Sequence, residues 1–161
     1  MNTLDQNQAE DYQKLIMKKS DALFAEADDL VSIFYSEKRE YNEQALKNSD
    51  NSRSSHLGCR VTRNANSPGI SIDWFRSDFY GPSGKRRAIS TSIPKGSMNT
   101  YVESKVFDWR TLGWEKELFR QLEPQLAIIR GESLWLGKLS RTVSFYKKAL
   151  VRLDKKKGVF L

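Results

Sequence analysis

Apolar residues recur at helical spacing over the first third of the chain. From Tyr12 to Ala45 they fall three, four or seven positions apart, with no proline or glycine between them, at Ile16, Leu23, Ala27, Leu30, Phe34, Tyr41 and Ala45. This spacing places one apolar stripe along a single helix, which we predict over residues 10–47. Because the stripe is close to a heptad seam, the helix should lie along another long helix.

The hydrophobic period changes to two after a polar stretch rich in Asn and Ser. We predict a loop over residues 48–56, and then a sheet over residues 57–95. Its three strands are read from "LGCRVTRNA", "ISIDWFRSDFY" and "RRAISTSIPKG", which are joined by the turn sequences "NSPG" and "GPSGK". Short turns between short strands predict a three-stranded antiparallel meander.

The alternation assigns side chains to the two faces of this sheet. One face should carry Cys59, Val61, Ile70, Ile72, Trp74, Ile89 and Ile93. Phe75 and Phe79 have the opposite parity. Either a bulge shifts the register within the second strand, or both faces are partly covered, and the sequence leaves both alternatives open.

Helical periodicity returns over residues 111–155. The apolar positions of this region are Leu118, Leu122, Leu126, Ile129, Leu136, Val143, Tyr146, Leu150 and Leu153. Pro124 and Gly131 interrupt the stripe, which predicts either two helices or one kinked helix. With a basic tail at 156–161, the chain is predicted to be a single α+β domain of helix, sheet and helix. The long helices should pair within the chain or with a second copy, and their length favours a homodimer.

Charge is distributed unevenly along the 161 residues. Residues 1–47 carry six Lys/Arg and ten Asp/Glu, whereas residues 48–161 carry twenty-one and ten, and the net charge is +7. An acidic first third and a basic remainder indicate that one surface binds polyanions. A solvated basic surface without a partner is the alternative.

The predicted sheet carries the more informative group of cations. Arginine outnumbers lysine there by five to two, which suits bidentate recognition of phosphates and guanine edges, and nearby hydroxyls can bond phosphate oxygens. The candidate DNA-binding residues of the sheet and its turns are Arg60, Arg63, Arg76, Lys85, Arg86, Arg87, Ser90, Thr91, Ser92 and Lys95.

A second basic cluster closes the last helix, at Lys147, Lys148, Arg152 and Lys155 to Lys157. It either contacts flanking phosphates or complements the negative end of the helix dipole, and both interpretations stay open. The four tryptophans, Trp74, Trp109, Trp114 and Trp135, can stack on unpaired bases, but packing is the more common role of such residues.

Groups for catalysis are scarce. The sequence has no phosphate-binding glycine loop, serine nucleophile motif or metal-binding acidic cluster. Asp73 and Asp78 have opposite parity in an unbulged strand and should not converge. His56 and Cys59 have the spacing of half a metal site, but no second pair completes it. We therefore expect a protein that is not an enzyme and that needs neither a metal nor another cofactor.

The cellular location is predicted from what the sequence lacks. No apolar run approaches the ~20 residues needed to cross a bilayer, and the polar, acidic start "MNTLDQNQAEDYQ" does not resemble a secretory signal. A single cysteine gives no internal disulfide framework, which agrees with a reducing compartment. These features predict a cytoplasmic protein without a membrane partner.

The order of the segments resembles the MobI-like proteins of conjugative plasmids and integrative conjugative elements. The resemblance covers most of residues 10–153 and is carried by "LGCRV", "ISIDWFR", "KRRAISTSIPKG" and "WEKELFRQLEPQLAIIRGES" after an acidic helix. It is most specific in the aromatic-Arg strand and the "STSIPKG" strand end. It implies an auxiliary DNA-processing factor that acts at or near the transfer origin, alongside a separate relaxase, and it supplies no catalytic residues.

Three functions are therefore carried forward. The leading hypothesis is a DNA-binding relaxosome accessory that contacts double-stranded DNA of the transfer-origin region and works with a relaxase or other transfer proteins. The second is an adaptor whose basic surface docks an acidic partner such as a relaxase or coupling protein. The third is an RNA-binding module, which needs exposed sheet aromatics such as Phe75, Phe79 and Tyr80 to stack bases.

Overall fold

A computed structural model describes residues 6–47, 55–65, 67–82, 85 and 87–157 of the chain. The elements are α1 (Gln6–Lys47), β1 (Leu57–Arg63), β2 (Ile70–Tyr80), β3 (Arg87–Ser92), a single 3₁₀ turn (Ser97–Asn99), α2 (Glu103–Val106) and α3 (Gly113–Lys157). The α+β class and the order helix, sheet, helix are confirmed. Most of the predicted loop at 48–56 and the last residues of the predicted basic tail lie outside the described residues, and the single-domain assignment remains a prediction.

The two long helices pair with each other in antiparallel orientation. Near the start of α1, Gln13 Nε2 donates to Ser144 Oγ at 3.3 Å, and Glu10 pairs with Lys147 at 2.7 Å. At the opposite end of the pair, Trp114 stacks on Tyr41 with ring centroids 5.6 Å apart. The two long helices thus pair within one chain, which is one of the two predicted alternatives. α3 is one helix that continues through Pro124 and Gly131.

The three strands form an antiparallel sheet in the order β1-β2-β3. The register pairs Cys59 with Trp74 and Val61 with Ile72, and it pairs Phe79 with Ala88. Both ladders run without interruption, so the predicted alternative of a bulge is wrong and the strict alternation of faces holds along β2.

Phe75 shows how the outer face of the sheet is partly covered. Its ring lies across Gly58 so closely that a Cβ at position 58 would sit 2.4 Å from Phe75 Cζ. The guanidinium of Arg60 lies 5.3 Å from the centre of the same ring. A side chain at position 58 would therefore have to displace this ring, because the ring occupies its space. Phe79, further along the same face, is 49% exposed.

The core lies between the inner face of the sheet and the helix pair. Trp74 is fully buried, with its ring in edge contact with Phe34 of α1 and tilted against Phe119 of α3. Aromatic pairs at these distances add to the free energy gained from burial alone. The sheet thereby joins both helices into one hydrophobic core.

The sheet covers only part of the helix pair. One end of the sheet is tied to Ser20 of α1, which donates to Pro68 O, and to Ser133 of α3, which accepts from Ile70 N at 2.8 Å. The other end is tied to Lys38, which donates to Leu57 O at 2.8 Å. Residues 6–19 of α1 and 134–153 of α3 therefore extend past the sheet, and we call these two segments the helical arm.

Two predicted core residues are exposed. Ile89 is on the same face as Trp74, as its parity predicted, but it is 55% exposed because β3 lies beyond the cover of the helices. Burial resumes only at Ile93, which is 4% exposed. Leu153 continues the periodicity of α3 yet is 56% exposed, because it lies in the helical arm.

A carboxylate that the sequence did not single out organises the core. Glu123 on α3 accepts from Trp74 Nε1 at 2.9 Å, from the backbone N–H of Tyr101 at 2.8 Å and from Arg130 Nη2. Glu123 and Arg130 are both buried. A buried charge is tolerated only when it is paired and hydrogen-bonded, and this network meets both conditions.

Candidate nucleic-acid interface

The β2–β3 hairpin projects beyond the rest of the sheet. β1 pairs with residues 70–76 of β2, whereas β3 pairs with residues 75–80. The described residues place no third strand beside residues 77–80 and 87–90, although Ser77 N still donates to His56 O at 2.8 Å. We call this two-stranded segment with its turn the β-ribbon. Every residue of β3 is exposed. A two-stranded ribbon has the dimensions that the major groove of DNA admits.

The turn of the β-ribbon opens at Gly81. Its φ of 111° lies in the region that side chains disfavour and glycine adopts readily. The backbone N–H of Lys85 then donates to Pro82 O at 3.0 Å. This local geometry places Lys85 and Arg87 at the far end of the hairpin.

Two arginines hold the base of the β-ribbon against α2 and the segment that follows it. Arg110 donates to Asp78 of β2 and to Asp108 at 3.0 Å. Arg76 donates to the carbonyls of Lys105 at 2.7 Å and Val106 at 2.9 Å. Because most of these partners are fixed backbone or short side chains, the β-ribbon has a defined orientation relative to the core.

The pKa values of this anchor reflect its pairing. Burial raises the pKa of the Asp108 carboxyl, but the backbone and side-chain hydrogen bonds from Arg110 outweigh burial and leave it below its usual value. The side-chain hydrogen bonds of Arg110 with Asp108 and with Asp78 raise the pKa of Arg110. Both groups are therefore held in their charged forms.

Three predicted contact residues share the outer face of the sheet. Arg60 lies on this face and donates to Ser92 Oγ at 3.2 Å, and Ser90 Oγ is 3.3 Å from Ser77 Oγ. Arg60, Ser90 and Ser92 are all exposed, whereas the exposed Thr91 has the opposite parity. The outer face thus presents one guanidinium beside a row of hydroxyls.

The end of the β-ribbon carries cations that are not neutralised. Lys85 and Arg87 are exposed, and neither has an ion pair with any residue that the structure describes. Arg86 lies outside the described residues. Like charges side by side cost free energy unless an anion or solvent compensates them.

Three other predicted sheet cations are already paired with carboxylates. Arg63 pairs with Asp21 of α1, Arg76 approaches Asp108 at 3.4 Å, and Lys95 pairs with Asp73 at 3.0 Å. Arg63 and Arg76 also have the parity of the inner face, unlike Arg60. The predicted set therefore does not form one surface. Arg60, Lys85 and Arg87 are the members that remain available, and Arg87 has the parity of the face opposite Arg60.

The second predicted cluster is divided in the same way. Lys147 binds Glu10 across the helix pair at 2.7 Å, and this hydrogen bond lowers the pKa of Glu10. Lys148 and Arg152 are exposed and pair with no described carboxylate. The side chains of Lys155 to Lys157 lie outside the described residues.

The aromatic residues do not form a shared stacking platform. Trp74 is buried and Trp114 is partly buried, while Trp109 and Trp135 are 78% and 63% exposed on separate elements. Phe79 and Tyr80 are exposed but point to opposite faces of β2, because they are adjacent in the strand.

The half metal site suggested by the sequence is not assembled. Cys59 is on the inner face and fully buried, and burial raises the pKa of its thiol. His56 Nδ1 lies 2.7 Å from Ser77 O. No group of three potential metal ligands occurs in the described part of the chain. Among the described residues, no helix is long and apolar enough to cross a membrane.

These features define a class of protein: a small α+β fold in which an antiparallel helix pair supports a sheet with a projecting, positively charged β-ribbon. A family model described as MobI protein matches residues 23–144, which span the sheet and most of both long helices. The chain belongs to the MobI family, as the sequence resemblance predicted, and the family implies a role in conjugative mobilisation. No curated protein and no solved structure matches the chain.

Proposed function

We propose that this protein is a non-enzymatic DNA-binding accessory of conjugative transfer, which uses the β-ribbon to contact double-stranded DNA of the transfer-origin region alongside a relaxase. The observation that carries the proposal is the β-ribbon itself. It projects past β1, is anchored by Arg110 and Arg76, and presents Lys85 and Arg87, which have no carboxylate partner among the residues that the structure describes.

The outer face of the sheet supplies the remaining contacts in this proposal. Arg60 and the hydroxyls of Ser90 and Ser92 lie on one face, behind the end of the β-ribbon. Cations neutralise phosphates, and hydroxyls and arginine forks bond phosphate oxygens or base edges. Lys148 and Arg152 lie in the helical arm, at the end of the molecule opposite the β-ribbon, so any phosphates that they contact are separate from those at the β-ribbon.

The proposal is tested by the salt dependence of DNA affinity. Fluorescence anisotropy with an origin-region duplex is recorded over a range of salt concentrations for the natural protein and for a Lys85→Ala/Arg87→Ala variant. Loss of two phosphate contacts should lower the slope of log K against log salt by about 1.8 and weaken binding roughly 30-fold at physiological salt.

The chain offers a matched control for net charge. An Arg63→Ala/Lys147→Ala variant removes two cations that the structure pairs with Asp21 and Glu10. Its salt slope should stay close to that of the natural protein. Equal losses in both variants, or no loss in either, would reject the β-ribbon as the contact surface.

The proposal includes self-association through the back of α3. Large apolar side chains occur there on the side away from the core, at positions 128, 135 and 139, and Ile128, Trp135 and Leu139 are 64%, 63% and 51% exposed. An exposed apolar stripe of this kind marks an interaction surface.

Charge complementarity favours a second copy as the partner of this stripe. Residues 134–153 of α3 contain five Lys/Arg and no Asp/Glu, whereas residues 21–37 of α1 contain five Asp/Glu and no Lys/Arg. In a two-fold dimer, residues 134–153 of each copy can lie along residues 21–37 of the other.

Light scattering coupled to gel filtration measures the association directly. Leu139→Asp should give monomers, because it places a charge in the stripe, whereas Phe145→Asp should leave the dimer intact. Phe145 is 68% exposed but lies off the stripe. A monomeric natural protein would reject this part of the proposal.

The adaptor function is the second candidate, and the same apolar stripe favours it. An adaptor would bind origin DNA no more tightly than unrelated DNA of equal length at physiological salt, since nonspecific contacts with phosphates carry no sequence information. Anisotropy competition between the two duplexes separates the candidates. A preference for the origin supports the DNA-binding accessory, and no preference supports the adaptor.

A further inference from the structure

A second polar site lies at the end of the sheet opposite the β-ribbon. A cavity of about 190 Å³ opens between the β1–β2 turn, the segment that follows β3, and the middle of α3. It is lined by Asn64, Ser67, Gly69, Ile70, Lys95, Asn99, Arg130, Ser133, Leu134, Gly137 and Arg141. None of these described residues is a carboxylate.

Polar side chains converge on Gly69 in this cavity. A Cβ at that position would lie 3.1 Å from Asn64 Nδ2, 3.2 Å from Ser67 Oγ and 3.9 Å from Ser133 Oγ. Asn64 and Ser67 already crowd the place of a side chain at position 69. Their amide and hydroxyl can donate hydrogen bonds, whereas the hydroxyl of Ser133 donates to Ile70 O at 3.4 Å. This arrangement suits a compact ligand with several acceptor oxygens.

Three cations line the same cavity, and one of them is not neutralised. Lys95 pairs with Asp73 at 3.0 Å, and Arg130 pairs with Glu123. Arg141 is exposed and has no ion pair among the residues that the structure describes. The site thus keeps a positive charge beside its neutral donors, which selects an anion.

Arg130 provides an independent observation. It is 4% exposed, and its Nε donates to Asn99 O at 2.6 Å, but its Nη1 is buried without a hydrogen-bond acceptor. Asn99 itself has a φ of 59°, in the left-handed region. A buried donor without an acceptor costs free energy, and a bound oxyanion beside Arg130 would supply acceptors.

We propose that this cavity binds a phosphate group. A tetrahedral oxyanion carries negative charge and enough oxygens to accept from Asn64, Ser67 and the guanidinium of Arg141 together. Such a group can be a free phosphate or a phosphodiester of the DNA backbone. Binding of free phosphate does not depend on the proposed function, whereas binding of a backbone phosphodiester rests on it.

Two glycines of α3 give a matched pair of variants. Gly137 lines the cavity and Gly131 does not, and a Cβ at either position meets no atom within 4 Å. Gly137→Glu places a carboxylate one helical turn before Arg141, where it pairs with that arginine. Gly131→Glu makes the same change of net charge outside the cavity, and both variants should fold.

The first measurement uses inorganic phosphate alone. Thermal unfolding is followed in sodium phosphate and in sodium chloride of equal ionic strength. Phosphate should raise the Tm of the natural protein and of Gly131→Glu, but should raise that of Gly137→Glu by less than half as much. Equal shifts in all three proteins, or none in any, would overturn the proposal.

The second measurement identifies the source of the phosphate. Anisotropy with the origin duplex is repeated for both variants and for Lys85→Ala/Arg87→Ala. A loss of DNA affinity of roughly tenfold in Gly137→Glu but not in Gly131→Glu assigns the site to the DNA backbone. Unchanged DNA affinity together with a phosphate effect on Tm assigns it to a free phosphate. If Lys85→Ala/Arg87→Ala keeps its DNA affinity, the result rejects the β-ribbon as the contact surface but does not bear on the phosphate cavity.

Discussion

The indole nitrogen of Trp74 donates to the carboxylate of Glu123 at 2.9 Å, across the buried boundary between the sheet and α3. The same carboxylate accepts from Tyr101 N and from Arg130. Three elements that are distant in the sequence therefore meet at one side chain, and the stability of the core depends on it.

Replacement of Glu123 should be among the most destabilising single changes. Glu123→Leu leaves the guanidinium of Arg130 buried without its carboxylate and should lower the free energy of unfolding by about 3–5 kcal/mol. Glu123→Gln keeps an acceptor for Trp74 and should cost less. Urea unfolding followed by tryptophan fluorescence measures both, with exposed Glu117→Gln as the control. Equal stability of Glu123→Leu and the control would contradict this role.

Gly58→Ala should destabilise the sheet because the added methyl group would overlap the ring of Phe75. The expected cost is about 1–3 kcal/mol, which is typical of overpacking. In a Phe75→Ala background the same change should cost less than about 1 kcal/mol, because the ring is gone. A double-mutant cycle by urea unfolding checks the coupling, and additive costs would contradict it.

The pairing of Asp108 with Arg110, which anchors the β-ribbon, should weaken in acid. The pKa of Asp108 in the folded state is lower than its ordinary value of 3.8. Its contribution to stability is therefore fully present above pH 3.8 and is lost as the pH falls through the lowered value. Asp108→Asn should cost about 1 kcal/mol at pH 7, since the group is only partly buried.

The difference between Asp108→Asn and the natural protein isolates this carboxyl. Glu10 and Glu103 also have lowered pKa values, but they are present in both proteins and cancel in the comparison. Urea unfolding between pH 7 and pH 2.5 should show that the difference in unfolding free energy between the two proteins becomes smaller at acid pH. A difference that stays constant over this range would contradict the assignment.

Cys59 should be unreactive in the folded protein. It is fully buried, and burial raises the pKa of its thiol above the ordinary 9.0, so the reactive thiolate is suppressed. A disulfide thiol reagent at pH 8 should modify it only in urea. Rapid modification of the native protein would contradict the position of Cys59 in the core.

The same raised pKa predicts a loss of stability at alkaline pH. The contribution of Cys59 is present below pH 9 and decreases as the pH rises above it, because the unfolded thiol ionises first. Burial raises the pKa values of Tyr35 and Tyr101 as well. The stability gap between the natural protein and Cys59→Ala should therefore narrow above pH 9, as urea unfolding at pH 7–10 can show.

The sequence predicted the elements well because their periods differ so clearly. The helix predicted over 10–47 is observed as Gln6–Lys47, and the helical region predicted over 111–155 is one helix, Gly113–Lys157. Strand parity placed Trp74 and Ile72 correctly in the core. Parity could not show that Ile89 would remain exposed, since burial depends on how far the helices reach over the sheet.

The candidate site was predictable only in part for a related reason. The cations of the β-ribbon are adjacent in the sequence, so their clustering was visible. The pairing of Arg63 with Asp21 joins residues 42 positions apart, and no local pattern indicates it. Glu123 and Arg130 had a usable signal, because they stand seven residues apart beside Leu122 and Ile129 of the apolar stripe.

The antiparallel pairing of α1 and α3 has a consequence for synthesis on the ribosome. Glu10 meets Lys147, 137 positions later in the chain, so the first helix emerges long before its helical partner exists. The hairpins of the sheet can form while translation continues, and α1 can dock on them. Closure of the helical pair must wait until residues 134–153 have been synthesised, which makes late assembly an intrinsic property of this topology.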